Sequence, residues 1–98
     1  MMPHPTHRTP EYVHWRRFDS EVVVLDIKDG AYFGLSEVAA AAFERLAKGS
    51  PTSEVVADLL TVYDVDRARL ESDIDALLDT LLRWGLLVAS DGGGPKGP

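Results

Sequence analysis

The sequence predicts an α+β fold in which a three-stranded antiparallel sheet precedes three helices. Three observations carry this reading. A β-branched run, Glu21-Val-Val-Val-Leu-Asp-Ile27, ends at a Lys28-Asp29-Gly30 turn; a serine at position 36 separates strand-like from helix-like periodicity; and Gly49, Pro51 and Gly85 punctuate the later apolar stripes.

The first strand is expected over residues 11–18, Glu-Tyr-Val-His-Trp-Arg-Arg-Phe, where aromatic and polar side chains mix as on a half-buried strand. The second covers residues 21–27 and the third Ala31 to Leu35. Hairpin loop length decides which side chains share a face, because a one-residue slip moves every side chain across the sheet. A two-residue Asp-Gly loop would set Val23, Leu25 and Ile27 opposite Tyr32 and Gly34, while a three-residue loop with Gly30 left-handed sets them opposite Ala31, Phe33 and Leu35. The second arrangement makes one continuous apolar face and is the expectation, with Tyr32 and Gly34 on the other face.

Ser36 suits the N-cap of a helix from Glu37 to about Lys48, closed by Gly49. A second helix starts near Ser50-Pro51-Thr52 and buries Val55, Val56, Leu59, Leu60 and Tyr63; a third runs from about Asp66 to Trp84 and stops at Gly85. The whole is similar to a winged helix with its sheet placed first. Residues 1–9 and 90–98, rich in proline, glycine and small polar groups, read as disordered tails around a folded unit spanning 10–89.

Composition narrows the function. At 98 residues the chain has room for one modest core, so a site must lie on the surface or in a shallow groove. The absence of cysteine removes disulfides, thiol nucleophiles and thiolate metal sites, and fits a reducing cytoplasm. The longest apolar runs fall far short of the roughly 20 residues of a membrane span. The formal net charge is −6, with residues 1–18 at +2 and residues 49–98 at −5. The helical half is thus the acidic half, the wrong sign for a nucleic-acid reader, which needs a basic face against phosphates.

Two features can carry binding. The third strand, Ala31, Tyr32, Phe33, Gly34 and Leu35, lies at a sheet edge in a simple up-and-down order and offers unpaired backbone groups to an added strand. Gly34 permits close backbone approach. The third helix spreads Leu70, Ile74, Leu77, Leu78, Leu81, Leu82 and Trp84 over an arc of roughly 160°, wide enough to cover the core with one border and face a groove with the other. Asp73 borders that stripe at a groove rim. Among weaker candidates, His4, His7 and His14 lack partners at ligand spacing, and Glu71, Asp75 and Asp79 line an outer helix face. No phosphate-binding glycine loop, zinc signature or nucleophile motif is present, so neither metal nor cofactor nor catalysis is expected.

The order of these segments resembles the PqqD-like family, also called RiPP recognition elements. The resemblance spans about Tyr12 to Val88 and rests on Val23-Val-Leu-Asp-Ile27, Gly30-Ala-Tyr-Phe-Gly-Leu-Ser36, Phe43-Glu-Arg-Leu46, Gly49-Ser-Pro-Thr52, Leu59-Leu-x-x-Tyr63-Asp-Val-Asp66, Asp73-Ile-Asp-Ala-Leu-Leu78 and Leu81-Leu-Arg-Trp-Gly-Leu-Leu87. Ser36 departs from the asparagine frequent in the family. Within the family the chain is most similar to the stand-alone leader-binding proteins of lasso peptide pathways. That resemblance implies a non-enzymatic, cytoplasmic protein that takes a precursor leader, of Tyr-x-x-Pro type, as a strand on Ala31–Leu35 and packs it against Leu70, Asp73, Ile74 and Leu77. It further implies a leader protease and an ATP-dependent cyclase as pathway partners, and neither nucleic acid nor membrane. A radical SAM maturation enzyme is the alternative partner, and a winged-helix DNA-binding regulator the alternative function.

Overall fold

The computed structural model describes residues 6–90, which form five strands and three helices in the order β1 (His7–Arg8), β2 (Val13–Phe18), β3 (Glu21–Asp26), β4 (Ala31–Ser36), α1 (Glu37–Ala47), α2 (Thr52–Val62), α3 (Arg67–Arg83) and β5 (Val88–Ala89). The three strands and three helices read from the sequence are all present, in an open antiparallel sheet ordered β2-β3-β4.

One part of the strand reading is overturned. Asp26 pairs with Ala31, Val24 with Phe33 and Val22 with Leu35, so the loop has four residues, Ile27 to Gly30, rather than three. The even-numbered residues of β3 therefore face the core: Val22 and Val24 are fully buried, while Leu25 is 40% and Ile27 55% exposed. The reason lies in Asp26, whose Oδ1 accepts from the backbone N–H groups of Lys28 and Asp29 at 3.0 and 3.2 Å. An aspartate that folds the chain back on itself in this way fixes where the strand ends. Three consecutive valines offered no alternation to reveal it. Gly30 is left-handed as expected, at φ 69°, and Ala31, Phe33 and Leu35 do share the inner face.

The inner face of the sheet packs on α1. Trp15 meets Phe43 edge-on with ring centroids 5.6 Å apart, and Phe43, Leu46 and Leu59 are fully excluded from solvent. Burial of each such side chain contributes about 1.5–3 kcal/mol. Across one margin, Arg17 of β2 makes a two-pronged contact with the Glu44 carboxylate of α1, its Nη2 at 2.8 Å from Oε1 and its Nε at 3.2 Å from Oε2. The guanidinium holds the Glu44 carboxyl below the ordinary carboxylate range. This bridge therefore stabilises the fold at neutral pH and is lost as pH falls through the lowered value.

The helix termini follow their punctuation with one exception. Asp66 caps α3 by accepting from the Arg69 N–H, and Gly49 and Gly85 end α1 and α3 at φ 100° and 75°. Ser36, expected to cap α1, makes no side-chain cap bond. Glu37 intervenes at φ 56°, a left-handed residue between the serine and the rest of the helix, and its N–H bonds Ser20 O at 3.1 Å.

Composition also misplaced the start of the fold. Of the two expected tails, residues 1–5 and 91–98 lie outside the described residues, but His7 and Arg8 pair antiparallel with Ala89 and Val88. The Ser90 N–H extends this ladder to Thr6 O at 3.0 Å. A two-residue strand has no periodicity to read, and this one exists because Leu86 and Leu87, both buried, pull the chain after α3 back across the core. His7 is buried there with Nδ1 unpartnered, and desolvation lowers its pKa below the ordinary histidine value.

Two measurements check these features. Glu37→Gly relieves a left-handed residue worth about 1–2 kcal/mol, less about 0.5–1 kcal/mol of added chain entropy, so thermal unfolding should shift upward by a few degrees. For His7 the folded pKa lies below the unfolded one, so its effect is absent at high pH and destabilisation grows as pH falls through the ordinary histidine value. The melting temperature should drop between pH 7.5 and 5.5 by more in wild type than in His7→Gln.

Candidate functional site

β4 bonds β3 on one side only, which leaves its other edge free of strand partners among the described residues. Its six residues alternate cleanly: Ala31, Phe33 and Leu35 are half-buried, whereas Tyr32, Gly34 and Ser36 are exposed. An antiparallel strand of this kind presents backbone N–H and C=O groups at every second residue along the free edge. The six residues of the edge include neither a charged side chain nor a proline, two of the usual devices that blunt such an edge.

Beside it runs a trough between α1 and α3. One hollow of about 440 Å³ is lined by Val38, Ala39 and Ala42 of α1 and by Asp73, Ile74, Ala76, Leu77 and Thr80 of α3. A second, of about 380 Å³, continues it past Val38 and Asp73 toward Val65, Arg69 and Leu70. The trough begins where β4 turns into α1 at Val38. Midway along β4, the Phe33 ring stacks on Trp84, the residue after α3, with centroids 4.9 Å apart. The end of α3 therefore lies by Phe33, while Leu70 and Asp73, nearer its start, line the hollow with Val38, two residues beyond β4.

The predicted site residues fall into three groups. Ala31 to Leu35 form the free edge. Leu70 and Ile74, at 2% and 1% exposure, are the floor of the trough and belong to the core. Leu77 is half-buried at the wall and Asp73 stands exposed at the rim, its carboxylate 3.5 Å from Arg69 Nε. Sequence reasoning missed the facing wall, Val38, Ala39 and Ala42, and the tie between Phe33 and Trp84. The alanines at positions 39 and 42 were a usable signal, since small side chains three apart on a helix leave space beside one face of it.

The remaining candidates do not assemble into a site. His4 lies outside the described residues, His7 is buried in β1 and His14 lies on the outer face of β2. Glu71 and Asp79 are engaged by Arg67 and Arg83 one turn away along α3. No group of three potential metal ligands occurs among the described residues. A further hollow, about 540 Å³, lies on the sheet's outer face over β2 and β3, around Arg16, Phe18, Val23 and Leu25.

Residues 21–87 match the family model described as coenzyme PQQ synthesis protein D (PqqD). The chain belongs to the PqqD family. Two solved structures resemble this PqqD-family chain over nearly its whole length. One is TbiB1 in complex with the TbiA(beta) leader peptide, 30% identical, with a TM-score of 0.76, covering 91% of this chain and 99% of that one. The other is a lasso peptide synthetase B1 complexed with the leader peptide, also 30% identical, with a TM-score of 0.75, covering 84% and 96%. The chain matches no curated protein sequence. The matched segment of this PqqD-family chain begins at β3 and ends at Leu87, so it contains both the β4 edge and the trough.

Floor and rim residues should separate by stability. Ile74→Ala removes a buried side chain and is expected to cost about 2–5 kcal/mol in chemical denaturation. Asp73→Ala, in an exposed ion pair, should change stability by less than about 1 kcal/mol.

Proposed function

We propose that this chain is a non-catalytic recognition protein that captures the leader of a ribosomally made precursor, a lasso peptide precursor, by strand addition to β4. The leader's backbone bonds to the free edge of Ala31–Leu35, and the side chains on its inner face descend toward the trough walled by Leu77 and Asp73 of α3 and by Val38 and Ala42 of α1. One observation carries this reading: an uncovered strand edge leads directly into α1 at Val38, which lines an apolar trough, in a chain that superposes over nine-tenths of its length on a protein solved with a leader peptide. Main-chain pairing supplies affinity that is indifferent to sequence, and the trough supplies choice.

The chemistry of the trough sets what it selects. Its walls are short and apolar, which favours one or two bulky apolar anchors over many contacts, and the rim carries Asp66 and the Asp73–Arg69 pair, whose carboxylates can accept from an N–H-bearing neighbour. A leader that orders on binding offsets part of its interaction energy against lost chain entropy, so those anchors dominate the affinity. The bound precursor is then passed to a leader protease and an ATP-dependent cyclase acting in the cytoplasm. No helix among the described residues is long and apolar enough to cross a membrane.

Duplex DNA is disfavoured as the ligand by the helix it would have to use. On α3 the charges of Glu71, Asp73, Asp75 and Asp79 outnumber those of Arg67, Arg69 and Arg83, and α2 carries no basic residue. Partnership with a radical SAM enzyme is the less favoured pathway, because one of the two similar structures is a lasso peptide synthetase B1 complexed with the leader peptide.

Calorimetric titration with the synthetic leader of the precursor encoded beside this chain tests the proposal. One-to-one binding is expected, weakened at least tenfold, or about 1.4 kcal/mol, by Leu77→Asp in protein whose circular dichroism is unchanged. Equal affinity in the variant would remove the trough from the site.

A further inference from the structure

Gly34 stands in the middle of β4 with no reason in its own fold to be glycine. Unlike Gly30, Gly49 and Gly85 it does not have a positive φ, and a Cβ built on it meets nothing within 4 Å. A glycine inside a strand weakens it, since it adds chain entropy and packs against nothing, and its common justification is the close approach of another group. That group is not supplied by the described residues of this chain.

The surroundings identify the vacancy. Gly34 faces outward, cross-strand from Val23 and two residues from Tyr32, which at 75% is the most exposed large apolar residue described. Val23 in turn belongs to the hollow on the outer face shared with Phe18 and Leu25. The missing side chain thus opens a notch from the free edge of the sheet inward, floored by the Gly34 backbone and bounded by Tyr32 and Val23.

A strand added to β4 places the side chain paired with Gly34 on this same outer face. Its neighbours, paired with Phe33 and Leu35, point the other way, toward α3. We propose that Gly34 is a specificity notch for the bound peptide: the peptide residue paired with it is aromatic, and its ring lies flat over the glycine, against Tyr32 and Val23. This rests on the strand-addition reading and extends it to a second, outward-facing anchor on the opposite side of the sheet from the trough.

An aromatic is singled out by reach and by surface. The added strand and β3 are two strand spacings apart, about 9.6 Å, and a ring lying across Gly34 extends from one toward Val23 on the other, out of reach of a short aliphatic side chain. A flat face also covers the exposed glycine backbone and packs offset against the Tyr32 ring, as cross-strand pairs of an aromatic with a glycine do. Any side chain at position 34 would occupy that path.

The test pairs changes on both sides of the notch. Gly34→Val, a residue suited to strands and with open space before it, should melt at the same temperature as wild type or higher, yet bind the synthetic precursor leader at least tenfold more weakly; Gly34→Ala should show the same direction, about threefold. Replacing one particular aromatic of the leader by alanine should weaken binding to wild type by a similar factor and to Gly34→Val by none. Wild-type affinity in both Gly34 variants, or the absence of any leader aromatic coupled to position 34, overturns the notch while leaving strand addition intact. Failure of wild type to bind the leader overturns strand addition, and the notch with it.

Discussion

The Asp26 carboxylate sets the register on which everything else in this protein depends. Buried at the end of β3, it accepts two backbone N–H groups of the following turn and so determines that four residues, not two or three, separate the paired strands. Because side chains alternate, that single local preference sends Val22, Val24, Phe33 and Leu35 to the core and leaves Tyr32 and Gly34 outside. A slip of one residue would put Phe33 on the solvent face, break its stack on Trp84 and detach the free edge from α3. The hydrogen bonds of one turn thereby control whether an edge strand and a helical trough lie side by side.

The core and the site share residues in a way that explains the narrowness of the trough. Leu70 and Ile74 point inward and hold α3 on α1, and the same helix turns expose Asp73 and half-expose Leu77 one residue away from them on the helical wheel. A helix with a wide apolar arc can serve both purposes because its two borders face different neighbours. Small side chains at Ala39 and Ala42 keep α1 from filling the space between. The floor is therefore rigid, since moving it would disturb the core, whereas the rim is built of exposed ion pairs that rearrange at little cost.

The electrostatic division of the chain has a structural counterpart. The basic N-terminal residues lie on β1 and β2, where Arg17 braces α1 and Arg16 lines the outer hollow, while the carboxylates gather on the helices. Peptide capture at β4 sits between these regions, next to the Asp73–Arg69 pair of α3. The two anchoring directions of an added strand, inward to the trough and outward over Gly34, consequently meet different surfaces, one rimmed by the Asp73–Arg69 pair and one formed by Tyr32 and Val23.

Much of this architecture was legible in the residues themselves. Apolar spacing and the glycine, proline and aspartate punctuation located all three helices, and the turn at Gly30 located the edge strand, because these signals are local: each depends on the backbone preferences of a few neighbouring residues. The Ala31–Leu35 edge and the α3 stripe were likewise visible. What the sequence left undecided was pairing. Val22, Val23 and Val24 are chemically equivalent, so only the assembled hairpin distinguished buried from exposed; β1 and β5 are two residues each and exist through contact with one another across 80 residues of chain. The division of the α3 stripe into floor and wall, and the tie between Phe33 and Trp84, were decided by α1 and β4 packing against it, since burial is a property of neighbours that no single segment carries in its own composition.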